Sequence, residues 1–231
     1  MALSLEKKTE LVRIQLEKNN IPTDLVMQVK MIMDVSYSFK WAFLDGTINE
    51  LVNRLIPLGM RFDDNGSLEC YAFGSRATKV SDITVKDFDS YIDKKFLKDA
   101  RDVLWGGTEY ATALRLLMED IKPSAPKSFL GKLFSSKKVE QNSDVPNFVM
   151  FITDGDSNDE SETERLLAQL ADTKTYVQLI GVGRGFSFLK RMADKFDHVG
   201  FVNFTDISNT GDEEMYKQLL GAELCTWIKA Q

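Results

Sequence analysis

The chain has 231 residues, 43% of them hydrophobic and 28% charged, with a formal net charge of −6 and a pI near 5.0. That acidic balance gives no global basis for binding nucleic acid or an anionic membrane. A single histidine, His198, leaves imidazole without a partner for zinc ligation or paired acid–base work.

Residues 1–24 are charged, with scattered apolar positions at Leu3, Leu5, Leu11, Ile14 and Leu16, and read as a lead-in segment or tether before a domain at 25–231. The N-terminus has no apolar signal core, Ala2 is not the glycine of a myristoylation site, and no run approaches the ~18 apolar residues of a membrane helix. A cytoplasmic location is the expectation. Cys70 and Cys225 lie far apart in apolar contexts and read as reduced core thiols.

The run Val29 to Val35 predicts a buried strand by its length and apolar content. Helical spacing follows from Phe39 to Met60, with Asp45-Gly46 as an interruption. The turn signal at Asp63-Asp64-Asn65-Gly66 precedes a strand at 68–73 and a short edge strand at 77–83. Helical patterns then cover 86–97 and 109–121, and a polar loop is inserted at 122–146. Beyond it the pattern predicts strand 147–153, helix 160–172, strand 175–182, helix 186–196, strand 199–204 and helix 212–229. Such alternation implies an α/β fold, a doubly wound and mostly parallel sheet with helices on both faces and one antiparallel edge strand.

Three segments of this plan carry chemistry. Asp34-Val35-Ser36-Tyr37-Ser38 closes the first strand, Gly106-Gly107-Thr108 opens a helix, and Thr153-Asp154-Gly155 closes the fourth strand. In an open parallel sheet, ligands sit at the carboxyl ends of strands near the point where strand order reverses. A doubly wound order makes strands one and four neighbours, which brings Asp34 and Asp154 to one crevice. Asp34, Ser36, Ser38, Thr108 and Asp154 then offer two carboxylates and three hydroxyls. An all-oxygen set suits a hard divalent cation, Mg²⁺ foremost with Ca²⁺ and Mn²⁺ as alternatives, and not a thiophilic metal.

This pattern resembles the metal-ion-dependent adhesion site of von Willebrand factor A (vWA) domains. The further set Arg54-Leu55-Ile56-Pro57-Leu58, Phe62-Asp63-Asp64-Asn65-Gly66, Tyr71-Ala72-Phe73, Gly181-Val182-Gly183 and Asp212-Glu213-Glu214-Met215-Tyr216 is similar to the TerF-like branch associated with tellurite and toxic-ion resistance. The resemblance implies a non-enzymatic, metal-dependent protein-interaction module of a bacterial toxic-ion or phage-stress resistance system. It implies that Ser36, Ser38 and Thr108 offer hydroxyl oxygens, that Asp34 and Asp154 hold the ion partly through water, and that an acidic residue of a partner protein completes the coordination. One departure stands out. Where the family has Gly between the two serines, this chain has Tyr37, followed two positions on by Phe39 in place of a common Met. If that position needs positive φ, Tyr37 strains the loop; if it does not, the ring shields one side of the ion.

Two other function classes fit part of the pattern. A Mg²⁺-dependent phosphatase would use Asp34 as nucleophile, although Ser36 stands where that chemistry has its second Asp. A calcium-stabilised structural domain would use the same ligands without a bridged partner. Asp156 and Asn158 read as helix-capping or outer groups, Gly181-Val182-Gly183-Arg184-Gly185 as a strand-to-helix turn, and the three tryptophans as packing residues. The basic–apolar stretch 127–138 suits a membrane surface or a partner, with packing on its own domain the favoured reading.

Overall fold

The structure is a computed structural model that describes residues 4–22, 24–63, 66–121 and 145–231. Six strands form one sheet: β1 (Gln28–Asp34), β2 (Ser67–Phe73), β3 (Ala77–Thr84), β4 (Asn147–Thr153), β5 (Thr175–Val182) and β6 (Val199–Phe204), in the order β3-β2-β1-β4-β5-β6. All neighbours are parallel except β2 and β3, which pair antiparallel at the edge. The expected mostly parallel α/β sheet with one antiparallel edge strand is therefore the fold observed. Strand order reverses between β1 and β4, where Met33 lies opposite Ile152.

Because both faces of the sheet are covered, the central strands are apolar on both sides. Met31 and Met33 of β1 face one core with Met150, Ile152 and Ile180, while Ile32 faces a second with Val149, Phe151 and Leu179. Helix α3 (Thr47–Phe62) buries Leu51, Val52, Leu55 and Leu58 in the first core, and α5 (Tyr110–Ile121) buries Leu114 and Leu117 in the second. Gly59 permits close packing of α3 on the sheet: a Cβ there would come within 2.1 Å of the Leu68 side chain.

The lead-in segment is more than a tether. Ser4 caps helix α1 (Leu5–Lys18), whose Val12 and Leu16 are fully buried in the first core. Pro57 inside α3 has no N–H to return to the carbonyl four residues back. That carbonyl, on Asn53, instead lies 3.5 Å from the Lys8 ammonium of α1. Burial lowers the Lys8 pKa, with the Asp212 carboxylate opposing.

Two helical expectations need correction. Residues 86–97 do not form one helix. A 3-10 turn at Val85–Asp87 gives way to Asp89 at φ 65, then to a π-helical turn (Ile92–Phe96) and the one-turn α4 (Leu97–Asp99). The left-handed residue reverses the chain locally, which the apolar spacing alone does not reveal. The expected helix 212–229 is two, α8 (Asp212–Leu219) and α9 (Ala222–Lys229), broken at Gly221 in an extended conformation. Helices α6 (Glu160–Leu170) and α7 (Ser187–Lys195) and the five-residue α2 (Lys40–Leu44) fall where expected. Nearly all of the inserted loop, including the basic–apolar stretch 127–138, lies outside the described residues. Among the described residues no helix is long and apolar enough to cross a membrane.

Candidate metal centre

Asp34 is the last residue of β1 and is fully buried. Its Oδ1 accepts from the Ser36 backbone N–H at 2.6 Å, an Asx-type turn that ends the strand and swings the next residues across the sheet edge. Its Oδ2 accepts from Thr153 Oγ1 at 2.6 Å. Thr153 Oγ1 in turn lies 3.0 Å from the Tyr110 hydroxyl, which also contacts the Gly155 carbonyl.

On the other side of Asp34 the hydroxyls continue outward. Ser36 Oγ and Ser38 Oγ are 3.1 Å apart, and Ser38 Oγ donates to Asp154 Oδ1 at 3.0 Å. Four of the five expected ligand residues thus gather in one cluster, from a buried carboxylate to a half-buried one at the mouth.

The second loop is locked beside the first by backbone bonds. Trp105 N donates to Val35 O at 2.7 Å, Tyr37 N donates to Gly106 O at 2.9 Å, and Ser36 and Gly106 form an isolated parallel bridge. A Cβ at Gly106 would stand 3.0 Å from both the backbone N and Oγ of Ser75, so this loop approaches the β2–β3 turn as closely as glycine permits. Gly107 N donates to Ser75 Oγ at 2.7 Å. Thr108 is held through its carbonyl, which accepts from Asn158 N at 2.9 Å and Ser157 Oγ at 3.4 Å. Its hydroxyl is not part of the bonded cluster of the other four.

The third loop braces the other two. Asp159 caps α5 from a distance in sequence, its Oδ1 and Oδ2 accepting from Tyr110 N at 3.1 Å and Ala111 N at 3.0 Å. Asp156 does the same for α7, accepting from Phe188 N at 3.1 Å and Ser187 Oγ at 2.9 Å, so its expected capping role is the one observed. Carboxylates at helix N-termini satisfy free N–H groups and meet the positive end of the helix dipole. Gly183 and Gly185, at φ 114 and 93, form the expected turn into α7.

Burial pushes the Asp34 carboxyl up to about 7, against the opposing pull of the Thr153 and Ser36 hydrogen bonds. Asp154 is also raised by burial, with the Ser38 hydroxyl and the Trp41 indole N–H opposing. Among the described residues no Lys or Arg is a leading cause of either shift. Two sequestered carboxylates with no cationic side chain between them are an incomplete electrostatic unit, which a bound cation would complete. The donor set fits a hard divalent ion: carboxylate and hydroxyl oxygen only. Among the described residues no three or more His, Cys, Asp or Glu side chains are grouped to hold a metal ion, so two carboxylates and the hydroxyls are the whole of this donor set.

Tyr37 does not strain the loop. Among the described residues the non-glycine positions with positive φ are Asn20, Asp89, Trp105 and Lys174, and Tyr37 is 72% exposed. The backbone cost falls instead on Trp105, at φ 60 just before Gly106, whose ring packs edge-on against Phe43 at 5.6 Å. Phe39 turns inward and is fully buried. Trp41, expected as a packing residue, is 45% exposed and reaches Asp154. His198, by contrast, is structural, with Nε2 2.9 Å from the Leu167 carbonyl, and both cysteines are free and buried.

Thr153, Tyr110 and Trp41 were not singled out as site residues by the sequence. Thr153 had one visible sign, a hydroxyl ending the otherwise apolar run 148–152. Tyr110 had none, because its ring fits the core periodicity of α5.

A doubly wound sheet with three loops converging at its switch point, the first carrying Asp-x-Ser-x-Ser, defines a von Willebrand factor A domain. The chain belongs to the vWA-TerF-like family, the vWA found in the TerF C terminus, whose model matches residues 26–231. It is 27% identical over 232 residues to the uncharacterized protein YcbR of Bacillus subtilis (strain 168), covering 98% of this chain and 86% of YcbR. Among solved structures it resembles proximal thread matrix protein 1 of the mussel byssus with a zinc-occupied MIDAS motif. There the TM-score is 0.53 at 18% identity, with 87% of this chain and 48% of that one covered. It also resembles the manganese-loaded TRAP protein of Plasmodium vivax, with a TM-score of 0.54 at 14% identity over 88% of this chain and 75% of that one. At such identities these likenesses speak to the fold alone, and the chain spans about half of the mussel protein.

Proposed function

We propose that this chain is a cation-dependent protein-interaction module, without catalytic activity of its own, acting in the cytoplasm. Ser36, Ser38 and Thr108 would supply hydroxyl oxygens, Asp34 and Asp154 carboxylates, and a Mg²⁺ ion, with Ca²⁺ or Mn²⁺ as alternatives, would bridge to an acidic residue of the partner. The observation that carries this reading is the cluster Thr153–Asp34–Ser36–Ser38–Asp154, an oxygen-only cradle with no side-chain counter-charge. The zinc and manganese named for the two structural relatives lend support to a divalent ion here. The proposed setting is a bacterial tellurite or toxic-ion or phage-stress resistance system, for which the TerF of the family name supports the tellurite part.

The phosphatase alternative is disfavoured by the same geometry. Both Asp34 oxygens are engaged and the side chain is fully buried, so it lacks the approach a phosphoryl group needs in line with a nucleophile. Calorimetric titration of metal-stripped protein with Mg²⁺, Ca²⁺ and Mn²⁺ tests the site. The Asp34→Ala and Ser36→Ala double variant is expected to lose cation binding while keeping its far-UV circular dichroism. Undiminished affinity in that variant would refute the assignment, and Asp34-dependent release of phosphate from a generic ester would restore the enzyme reading.

A further inference from the structure

The described surface exposes five large apolar side chains, and three of them, Tyr37, Trp41 and Leu44, belong to one short segment at the mouth of the cradle. Tyr37 lies between the two serines of the cluster, so its exposed ring stands at the rim by covalent necessity. The turn closed by Lys40 N on Tyr37 O leads directly into α2, where Trp41 and Leu44 are three residues apart and so share a face. Trp41 is 45% exposed beside Asp154, and Leu44, one turn further out, is 75% exposed. The inward side of the same segment, Phe39 and Ala42, is fully buried, so its apolar content serves two surfaces.

Charge narrows what fits there. The Lys40 ammonium sits 5.4 Å from the Trp105 ring centroid and is the segment's one basic group. Asp45, which follows, is already used to cap α3 through Thr47 N. A phosphate-rich surface would meet Asp154 and a net charge of −6, whereas a single carboxylate would meet hydroxyls, a cation and Lys40.

We propose that residues 37–44 are a specificity surface for a protein segment carrying an aspartate or glutamate with an aromatic or aliphatic side chain close beside it. The carboxylate engages the cation, and the apolar side chain rests on Tyr37, Trp41 and Leu44. This rests on the cation-bridge reading and adds the chemistry of the partner to it. Side chains repeat on one side of an extended segment every ~7 Å and on a helix every ~5–6 Å, so a carboxylate and an apolar side chain can share one face in either geometry.

The test uses the whole chain and a displayed library of short peptides with one fixed glutamate and all other positions randomised, selected with Mg²⁺ present. Retained peptides are expected to be enriched in apolar residues next to the glutamate. The Tyr37→Ser, Leu44→Ser double variant should bind them roughly tenfold more weakly or worse, and Leu44→Ser alone, altered at an exposed position outside the cluster, should weaken peptide binding with Mg²⁺ affinity unchanged. Retained peptides without apolar enrichment, or equal binding by the variant, would overturn the proposal. Binding that survives EDTA yet is lost in the double variant would instead overturn the cation bridge and leave the apolar surface standing. No retention at all would count against both.

Discussion

Thr153 Oγ1 donates to Asp34 Oδ2 at 2.6 Å across the β1–β4 junction, the switch point of the sheet. This bond joins the two strands whose ends carry the candidate carboxylates. It also fixes the orientation of Asp34 before any ion arrives. Preorganisation of this kind lowers the ordering cost of binding.

Replacing Thr153 with Val keeps the shape and removes the donor. A buried carboxylate oxygen is then unsatisfied, at a cost of about 1–3 kcal/mol. Urea denaturation of metal-free protein should show that loss, and calorimetry should show weaker cation binding. Unchanged stability would mean that water or another donor replaces the hydroxyl.

The pH dependence follows from the raised Asp34 carboxyl. Its pKa rises from an ordinary 3.8 to about 7 on folding, so the folded state holds a proton that the unfolded state releases between those values. Stability from this group is full below about pH 3.8 and is lost as pH climbs through about 7 in the metal-free protein. A cation reverses the preference, because it binds the ionised form. Cation affinity should therefore strengthen as pH rises toward 7, with proton release measurable in buffers of different ionisation enthalpy. In Asp34→Asn the share of both effects due to this carboxyl should vanish, leaving that of Asp154, which burial also raises.

Asp159→Ala removes the acceptor shared by Tyr110 N and Ala111 N at the start of α5. Loss of such a cap costs about 0.5–2 kcal/mol. Because the same loop holds the Thr108 carbonyl, cation affinity should fall together with stability. A stability loss without any change in affinity would show that Thr108 does not need this brace.

Helix α1 should behave as part of the core. Leu16→Ala opens a cavity at a fully buried position, with an expected loss of about 2–5 kcal/mol. Denaturant unfolding of the full chain checks it. A loss near zero would return the segment to the status of a tether.

Much of this was legible in the sequence, for identifiable reasons. Strands β4 and β5 were readable to the residue because buried parallel strands are largely apolar runs bounded by turn residues, and the half-exposed edge strand β6 by its β-branched and aromatic residues. Asp34, Ser36, Ser38 and Asp154 were readable because polar groups directly after such runs have to be explained. The buried brace of Tyr110 and Thr153 was not, since a core tyrosine looks the same in sequence whether or not its hydroxyl has a partner. Trp105 was missed for a related reason: its positive φ is imposed by the bridge between Ser36 and Gly106, a contact 70 residues apart in sequence. The break between α8 and α9 turned on Gly221, which a window of helical spacing absorbs. The serine turn was legible as a candidate ligand motif, but the harmless backbone of Tyr37 required the structure.

The most direct measurement is the thermal stability of metal-stripped protein against Mg²⁺, Ca²⁺ and Mn²⁺, with Asp34→Ala and Ser36→Ala in parallel. A ligand that binds only the folded state stabilises it by about 2.7 kcal/mol at a hundredfold excess over Kd. The account predicts a cation-dependent rise in Tm for the natural chain that is absent from both variants. A flat response at saturating cation, or an equal rise in the variants, would contradict it.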